Sequence, residues 1–327
     1  TFTVGDEDNE TVKTVWVHLS YKPAELQGAG TEEDPYRITK ASELLSLAAL
    51  VNDGKSSDSF VSLENDVIVK GSWTPLGKNS AYSFKGSFDG NGHSVTVTVD
   101  NPNLSYFGFF GCLEGAAVKN LTVNGEIYCS EPYAFVGGIA ARARGNVTIE
   151  NCVNTASVSS LARGSAGVGG IVGGYDDSVE YKWENIRLTV SGSKNNGFIM
   201  VTGSEKEAYV GGIVGSNANC VQLENCENTG DIYAPGCTVG GLLGQAGYQT
   251  GDFKPSINGC SVSGAISGLD GHSNRLWGKG ALANVTDSGE NTAEKGEITN
   301  ELVLESAKYS DVIAAYKEGA LNLIKDG

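Results

Sequence analysis

The sequence predicts a mainly β protein: a right-handed parallel β-helix with an N-terminal capping helix and a C-terminal helical segment. Two observations carry that prediction. A double-glycine element recurs five times between Tyr106 and Ser267, and a set of small, core-type positions recurs in step with it. The element begins as Phe107-Gly108-Phe109-Phe110-Gly111 and returns as Gly137-Gly138-Ile139-Ala140, Gly169-Gly170-Ile171-Val172-Gly173, Gly211-Gly212-Ile213-Val214-Gly215 and Gly240-Gly241-Leu242-Leu243-Gly244. Gly108, Gly138, Gly170, Gly212 and Gly241 are spaced by 30, 32, 42 and 29 residues. Repetition at such a period signals stacked supersecondary units.

The second set lies in the segments Lys119 to Ile127, Glu150 to Val158, Ser191 to Ile199, Glu224 to Ile232 and Asn258 to Ile266. One column reads Leu121, Cys152, Ser193, Cys226 and Cys260, small or apolar throughout, as a file of inward side chains requires. The column before it reads Asn120, Asn151, Gly192, Asn225 and Gly259. Asn and Gly accept positive φ most readily, so each unit is expected to turn a left-handed corner there. Four residues past the first column stand Gly125, Ala156, Gly197, Gly230 and Gly264, a second expected corner, at which Ala156 makes positive φ preferred and not obligatory. Between corners the runs Val118 to Val123, Val147 to Ile149, Ile186 to Val190 and Val221 to Leu223 are short and rich in Val, Ile and Thr, the composition of strands. A unit of about 30 residues built this way cannot bury its apolar face alone. Stacked coil on coil it can, each strand pairing in parallel with its copy at roughly 4.8 Å. The right hand follows from the rule for parallel crossovers, and five turns with one or two before them make a rod roughly 30 Å long.

These residues also resemble a known family. The Gly-Gly-Ile-Val-Gly element followed by Glu-Asn-Cys-x-Asn-Thr-Gly-x-Ile is similar to the GLUG-motif repeat of large secreted or surface-exposed bacterial proteins. The resemblance extends upstream to Gly30-Thr31-Glu32-Glu33-Asp34-Pro35-Tyr36-Arg37-Ile38 and to Gly86-Ser87-Phe88-Asp89-Gly90-Asn91-Gly92-His93, and covers most of Gly28 to Leu269. It implies an extracellular or cell-surface, adhesin-like role and no catalytic residues, because the shared positions are corners and core.

Taken in order, residues 1–27 form an N-terminal strand segment. The alternating run Val12, Thr14, Val15, Val17 and Leu19 follows the acidic stretch Asp6-Glu7-Asp8-Asn9-Glu10 and stops at Pro23. It reads as the last strand of a preceding domain or as an edge strand, the former being favoured. The acidic stretch lacks calcium-ligand spacing and reads as a solvated loop. Residues 28–290 are the β-helix. Thr39 is the expected N-cap of a helix over 40–52, with Glu43 in its first turn, an apolar face of Leu44, Leu45, Leu47, Ala48, Leu50 and Val51, and a stop at Asn52-Asp53-Gly54. An open β-helix end exposes strand edges, and this helix is expected to cover one. Phe60 to Leu63, Val67 to Val69, Phe84 to Phe88 and Val95 to Val99 supply the first, less regular turns. Asp89-Gly90-Asn91-Gly92 beside His93 has the look of a carboxylate site, but a tight turn explains it better. Gly164-Ser165-Ala166-Gly167-Val168-Gly169 precedes a strand and is no phosphate fingerprint. Residues 291–327 are expected to be helical, Ser310 capping Asp311 to Lys325.

The net charge of −16, from 23 basic and 39 acidic residues, disfavours nucleic acid and anionic membrane as partners. No apolar run is long enough to span a bilayer. Seven cysteines leave at least one unpaired; Cys152, Cys226 and Cys260 read as small core residues, whereas Cys112, Cys129, Cys220 and Cys237 sit near strand ends where a disulfide is neither signalled nor excluded. With three His and no Cys-x-x-Cys, no metal or cofactor site is expected.

One irregularity points to function. The third copy inserts Gly174 to Glu184, and the fifth lengthens at Tyr248 to Pro255. Both follow the same element, so both should leave one edge of the rod, where solenoids commonly carry their binding face. Tyr175, Asp176, Asp177, Tyr181, Trp183, Tyr248 and Phe253 are therefore the candidate ligand-binding residues, suited to stacking on sugars or to a protein contact, with covering of the rod's flank as the simpler use. Arg144 aligns beside Asp176 as a simple surface ion pair. The leading expectation is a monomeric, non-enzymatic surface protein binding a glycan or host protein. The alternatives are a polysaccharide-active lyase or hydrolase, for which Arg142, Arg144 and Arg163 look scattered, and a structural spacer.

Overall fold

A computed structural model describes in full residues 23–161, 167–175, 187–202, 208–216, 220–245, 256–269 and 276–278, together with the backbone of 2–6, 9–15, 176, 286–287 and 292–293. The chain is a parallel β-solenoid of about six turns. One coil shows the plan: Val147–Glu150, then Val153–Asn154 and Ser157–Ser160, then Gly167–Gly169, then Val172–Asp176, after which Leu188–Ser191 begins the next coil. Each strand pairs in parallel with its counterpart one coil on, as Ile149 with Val190, Val158 with Ile199, Val168 with Val210 and Val172 with Val214. Stacking generates four sheets, two long outer ones and two short ones made from the double-glycine elements.

Register explains the core. Phe88, Val118, Ile149, Val190, Leu223 and Ile257 stand in one file, all buried, while their chain neighbours Asp89, Lys119, Glu150, Ser191, Glu224 and Asn258 stand in the adjacent outward file. At the N-terminal end the core is aromatic. Trp73 stacks on Phe109 with centroids 5.4 Å apart and donates its Nε1 hydrogen to the Phe109 carbonyl at 2.9 Å.

The expected first corner is present in every coil: Asn120, Asn151, Gly192, Asn225 and Gly259 have φ of 53°, 52°, 57°, 53° and 61°. The second corner has a different cause from the one expected. Only Gly125 has positive φ there; at Gly197, Gly230 and Gly264 an added Cβ would lie 2.1 Å from a carbonyl oxygen of the preceding coil. Glycine is required by closeness, not by dihedral freedom.

The column that follows the first corner is buried throughout, as expected of a core file, but it is also hydrogen-bonded. The Cys152 N–H donates to Ser193 Oγ at 3.1 Å and the Cys226 N–H to Cys260 Sγ at 3.3 Å, while Ser193 Oγ and Cys260 Sγ donate to the carbonyls of Ser191 and Asn258. A small side chain carrying O or S can satisfy the corner N–H of the coil before it, which apolar packing would leave orphaned. All seven cysteines are free and buried, and burial pushes the Cys129, Cys152 and Cys237 thiols up to about 12.

A third file was not anticipated. Asn154, Asn195 and Asn228 are wholly buried one above another; Asn154 Nδ2 donates to Asn195 Oδ1, and Asn195 Nδ2 to Asn228 Oδ1, both at 2.8 Å. Each Nδ2 also reaches the carbonyl two residues on, in Ala156, Gly197 and Gly230. These amides lie against the double glycines: a Cβ on Gly138, Gly170 or Gly212 would come within about 2.4 Å of Asn154, Asn195 or Asn228. The same Cβ would sit 2.1–2.2 Å from a glycine carbonyl of the following coil.

The helix spans Ala41–Asn52, one residue later than expected, with Lys40 as the N-cap. Thr39 stands just before it and donates its N–H and hydroxyl to Glu43 Oε2 at 2.8 and 2.9 Å. Burial opposes the charge of Glu43, but these bonds and Lys40 hold its carboxyl below the ordinary value. Leu44, Leu47, Ala48 and Val51 enter the common core, and Asn52 ties the helix end to the Pro75 carbonyl and the Lys78 N–H. Phe2–Asp6 pairs antiparallel with Asn9–Val15, so the strand begins earlier than read and has a partner just before it in the chain. At the other end the sheets continue through Thr286–Asp287 and Thr292–Ala293. The expected helix over Asp311 to Lys325 lies outside the described residues.

Replacing Asn195 with Ala strips a partner from both neighbouring amides, and each buried polar group left unpaired costs about 1–3 kcal/mol. Urea denaturation of Asn195→Ala is expected to show a loss of about 2–6 kcal/mol by that reckoning. Asn196→Ala removes an exposed bond to Thr229 and should stay within about 0.5 kcal/mol of the parent.

Candidate functional site

The strands that flank each double glycine reverse direction through two residues, which places the start of the first beside the end of the second. Gly174, late in its strand, shows this: a Cβ there would lie 2.5 Å from the Phe135 ring, which begins the facing strand. Segments entering the first strand and leaving the second therefore share one edge of the rod. The described strands Gly167–Gly169 and Tyr209–Gly211 begin at this edge, and Val172–Asp176 and Val214–Ser216 end there.

A mixed aromatic and cationic cluster occupies it. Tyr106 and Phe135 stand in register, their ring centroids 6.2 Å apart, and the Arg142 guanidinium carbon lies 5.5 and 5.4 Å from the two centroids. Arg142 also donates to the Tyr106 hydroxyl, which is 3.0 Å from Ser80 Oγ. Such cation–π contacts fix a guanidinium without neutralising it. Alongside runs a charge ladder across coils: Lys85 Nζ lies 3.4 Å from Glu114 Oε2, and Arg144 Nη2 lies 3.1 Å from Glu114 Oε1. Burial opposes ionisation of Glu114, yet Arg144, then Ser83 and Lys85, hold its carboxyl below the ordinary range. Tyr133, in the loop entering the Phe135 strand, is 65% exposed.

The residues predicted from sequence divide sharply. Tyr175 is withdrawn from the ligand set: the strand Val172–Asp176 runs through the start of the expected insertion, its ring is fully buried, and its hydroxyl donates to the Gly145 carbonyl at 3.1 Å. Asp176 ends that strand in register with Arg144, but its side chain, and with it the expected ion pair, lies outside the described residues; Arg144 also pairs with Glu114 on its other side. Asp177, Tyr181, Trp183, Tyr248 and Phe253 lie outside the described residues. Arg142 and Arg144, which look scattered in the sequence, share one strand and one edge. Tyr106, Phe135 and Tyr209 were missed, although an aromatic residue preceding the glycine element in three of five copies was a readable signal.

Other polar groups are committed to the scaffold. Asp89 accepts from the Asn91 N–H at 2.9 Å and from Asn120 Nδ2 at 3.0 Å and pairs with Lys119 at 3.1 Å, so the Asp89 to Gly92 segment is a turn. A separate open cavity of about 610 Å³ lies at the first coil, lined by Thr31, Glu32, Glu33, Tyr36, Asp58 and Phe60 among others. Among the described residues no group of three or more His, Cys, Asp or Glu is placed to hold a metal ion, and no helix is long and apolar enough to cross a membrane.

No family model matches the chain. A stretch of 132 residues is 33% identical to halomucin of Haloquadratum walsbyi, which covers 40% of this chain and 1% of that protein. Another match of 132 residues is 29% identical to a protein of Evansella cellulosilytica provisionally named a Gly-rich membrane protein, covering 38% of this chain and 15% of that one. The chain thus spans a small part of these relatives' length. Among solved structures, a Bacteroides ovatus protein provisionally assigned as an immunoglobulin A1 protease superposes with a TM-score of 0.64 at 21% identity, over 85% of this chain and 81% of its own. A second, named IgA1 protease, gives 0.53 at 15% identity over 82% of this chain and 22% of its own. At these identities the likeness is one of fold. The expectation of a non-enzymatic protein is overturned, because these two structures carry protease names.

The lowered carboxyl of Glu114 makes the edge acid-sensitive. A pKa held below its unfolded value contributes stability above the ordinary glutamate range, and that contribution is lost as acid protonates the folded state. Between about pH 5 and pH 3, the melting temperature of Glu114→Gln is expected to fall less steeply than that of the parent, read by circular dichroism.

Proposed function

We propose that the chain is a β-helical module of a larger bacterial envelope or secreted protein, and that it engages a glycan or a host protein along its loop-bearing edge. The observation that carries this reading is the Tyr106, Phe135 and Arg142 cluster at the edge where the double-glycine strands begin and end. Aromatic and Arg side chains are the residue types that dominate recognition surfaces. The repeat itself fits the GLUG type, whose double glycine and Asn-Cys-x-Asn corner are both structural positions in this chain. An envelope setting is supported by the membrane-protein name of one relative.

The two immunoglobulin A1 protease structures favour a particular form of the reading. The macromolecule engaged is then an immunoglobulin A1-type glycoprotein, and peptide cleavage is an activity of the protein to which this module belongs.

Biolayer interferometry against immobilised immunoglobulin A1, native and enzymatically deglycosylated, and against a glycan array tests the proposal; gel analysis of the same mixtures reports cleavage. Saturable binding is expected, weakened about tenfold, or 1.4 kcal/mol, by Arg142→Ala. A folded chain that binds none of these probes would refute it.

A further inference from the structure

Tyr133 combines two unusual properties. Its φ of 62° lies in the left-handed region, where a bulky non-glycine residue is an outlier, and its ring is 65% exposed. The turn that Pro132 opens calls for positive φ at its next residue, but glycine or asparagine meets that need at lower cost, and nothing in the turn requires an exposed tyrosine there. The loop is anchored on both sides of it, by Cys129, whose thiol donates to the Glu131 carbonyl at 3.4 Å, and by buried Ala134. Among the described residues the Tyr133 side chain makes no hydrogen bond and no ring contact, whereas exposed Tyr82 carries Lys78 over its face at 4.6 Å. A strained conformation that the packing does not use is one that an external contact can explain.

We propose that Tyr133 is a sugar-stacking residue that holds the apolar C–H face of a neutral pyranose ring. The inference rests on the binding role assigned above to this edge and names its ligand class. A sugar fits better than a protein for a specific reason. Protein hot spots are enclosed by a ring of contacts that excludes water, but Tyr133 stands among Ser130, Glu131 and Pro132, and the other exposed large hydrophobic residues described are Ile68 and Tyr82. A pyranose needs one flat face and polar groups for its hydroxyls; Tyr133 offers the face, and Ser130 and Glu131 precede it in the same loop. The net charge of −16 disfavours sialylated or sulphated chains and leaves neutral sugars.

The test is an array of neutral oligosaccharides ending in galactose, N-acetylgalactosamine, mannose or glucose, with sialylated counterparts and deglycosylated immunoglobulin A1 alongside. The parent chain should bind at least one neutral terminus better than its sialylated form. Tyr133→Phe should stay within about twofold, whereas Tyr133→Gly should lose about tenfold or more while its melting temperature holds or rises, because glycine carries no strain at this φ. Unchanged binding by Tyr133→Gly overturns the proposal, as does a fall in melting temperature together with binding, which would make the ring a packing element. If the parent binds deglycosylated protein and no sugar, this inference fails and the binding role of the edge stands; if it binds neither, both fail.

Discussion

The structure depends on how closely one coil can approach the next. Parallel pairing sets successive backbones roughly 4.8 Å apart, and at the double glycines the chain also folds back on itself inside that spacing. A methyl group at Gly169, Gly211 or Gly240 would lie 1.8–2.0 Å from a carbonyl oxygen three residues ahead in its own chain, and one at Gly173, Gly215 or Gly244 would strike the backbone of the facing strand. Everything else is arranged around that contact. The buried asparagines fill the space over the second glycines, and the Cys and Ser column satisfies the corner N–H groups beside them. A glycine-poor version of this chain would have to open the coil, and the amide ladder would then lose its register.

Much of this could be read from the sequence, because the constraint repeats. Asn and Gly at one position in five copies left positive φ as the economical explanation, and the dihedrals agree. At Gly197, Gly230 and Gly264 the same residue type arises from lack of room, and sequence alone does not separate the two causes. The asparagine ladder was hidden for another reason. A strand Asn flanked by Val153 and Thr155, or by Glu227 and Thr229, has the look of an outward polar residue, and only stacking reveals that it has buried partners above and below. Tyr175 shows the converse, an aromatic assigned to an insertion beginning at Gly174 although the strand runs on to Asp176.

The candidate site was less legible than the fold because it is assembled from different coils. Tyr106 and Phe135 are 29 residues apart, and Arg142 meets them only because the glycine turn brings its strand back beside theirs. The same reversal brings the start of one strand and the end of the next, as at Phe135 and Gly174, to one edge. The scaffold thereby separates its labour: corners and core are held by close contact, while the loop-bearing edge is free to vary in length and chemistry without disturbing a single coil-to-coil pairing.

The direction of the backbone bonds has a mechanical consequence. In each outer sheet the N–H and C=O groups point from one coil to the next, along the rod and not across it. Tension applied between the ends would pull on these bonds lengthwise, a few at a time, so coils would peel away in sequence instead of shearing together. Held at both ends and loaded, such a rod would pay out slack in steps of one winding and absorb a sudden pull between whatever its two ends are joined to.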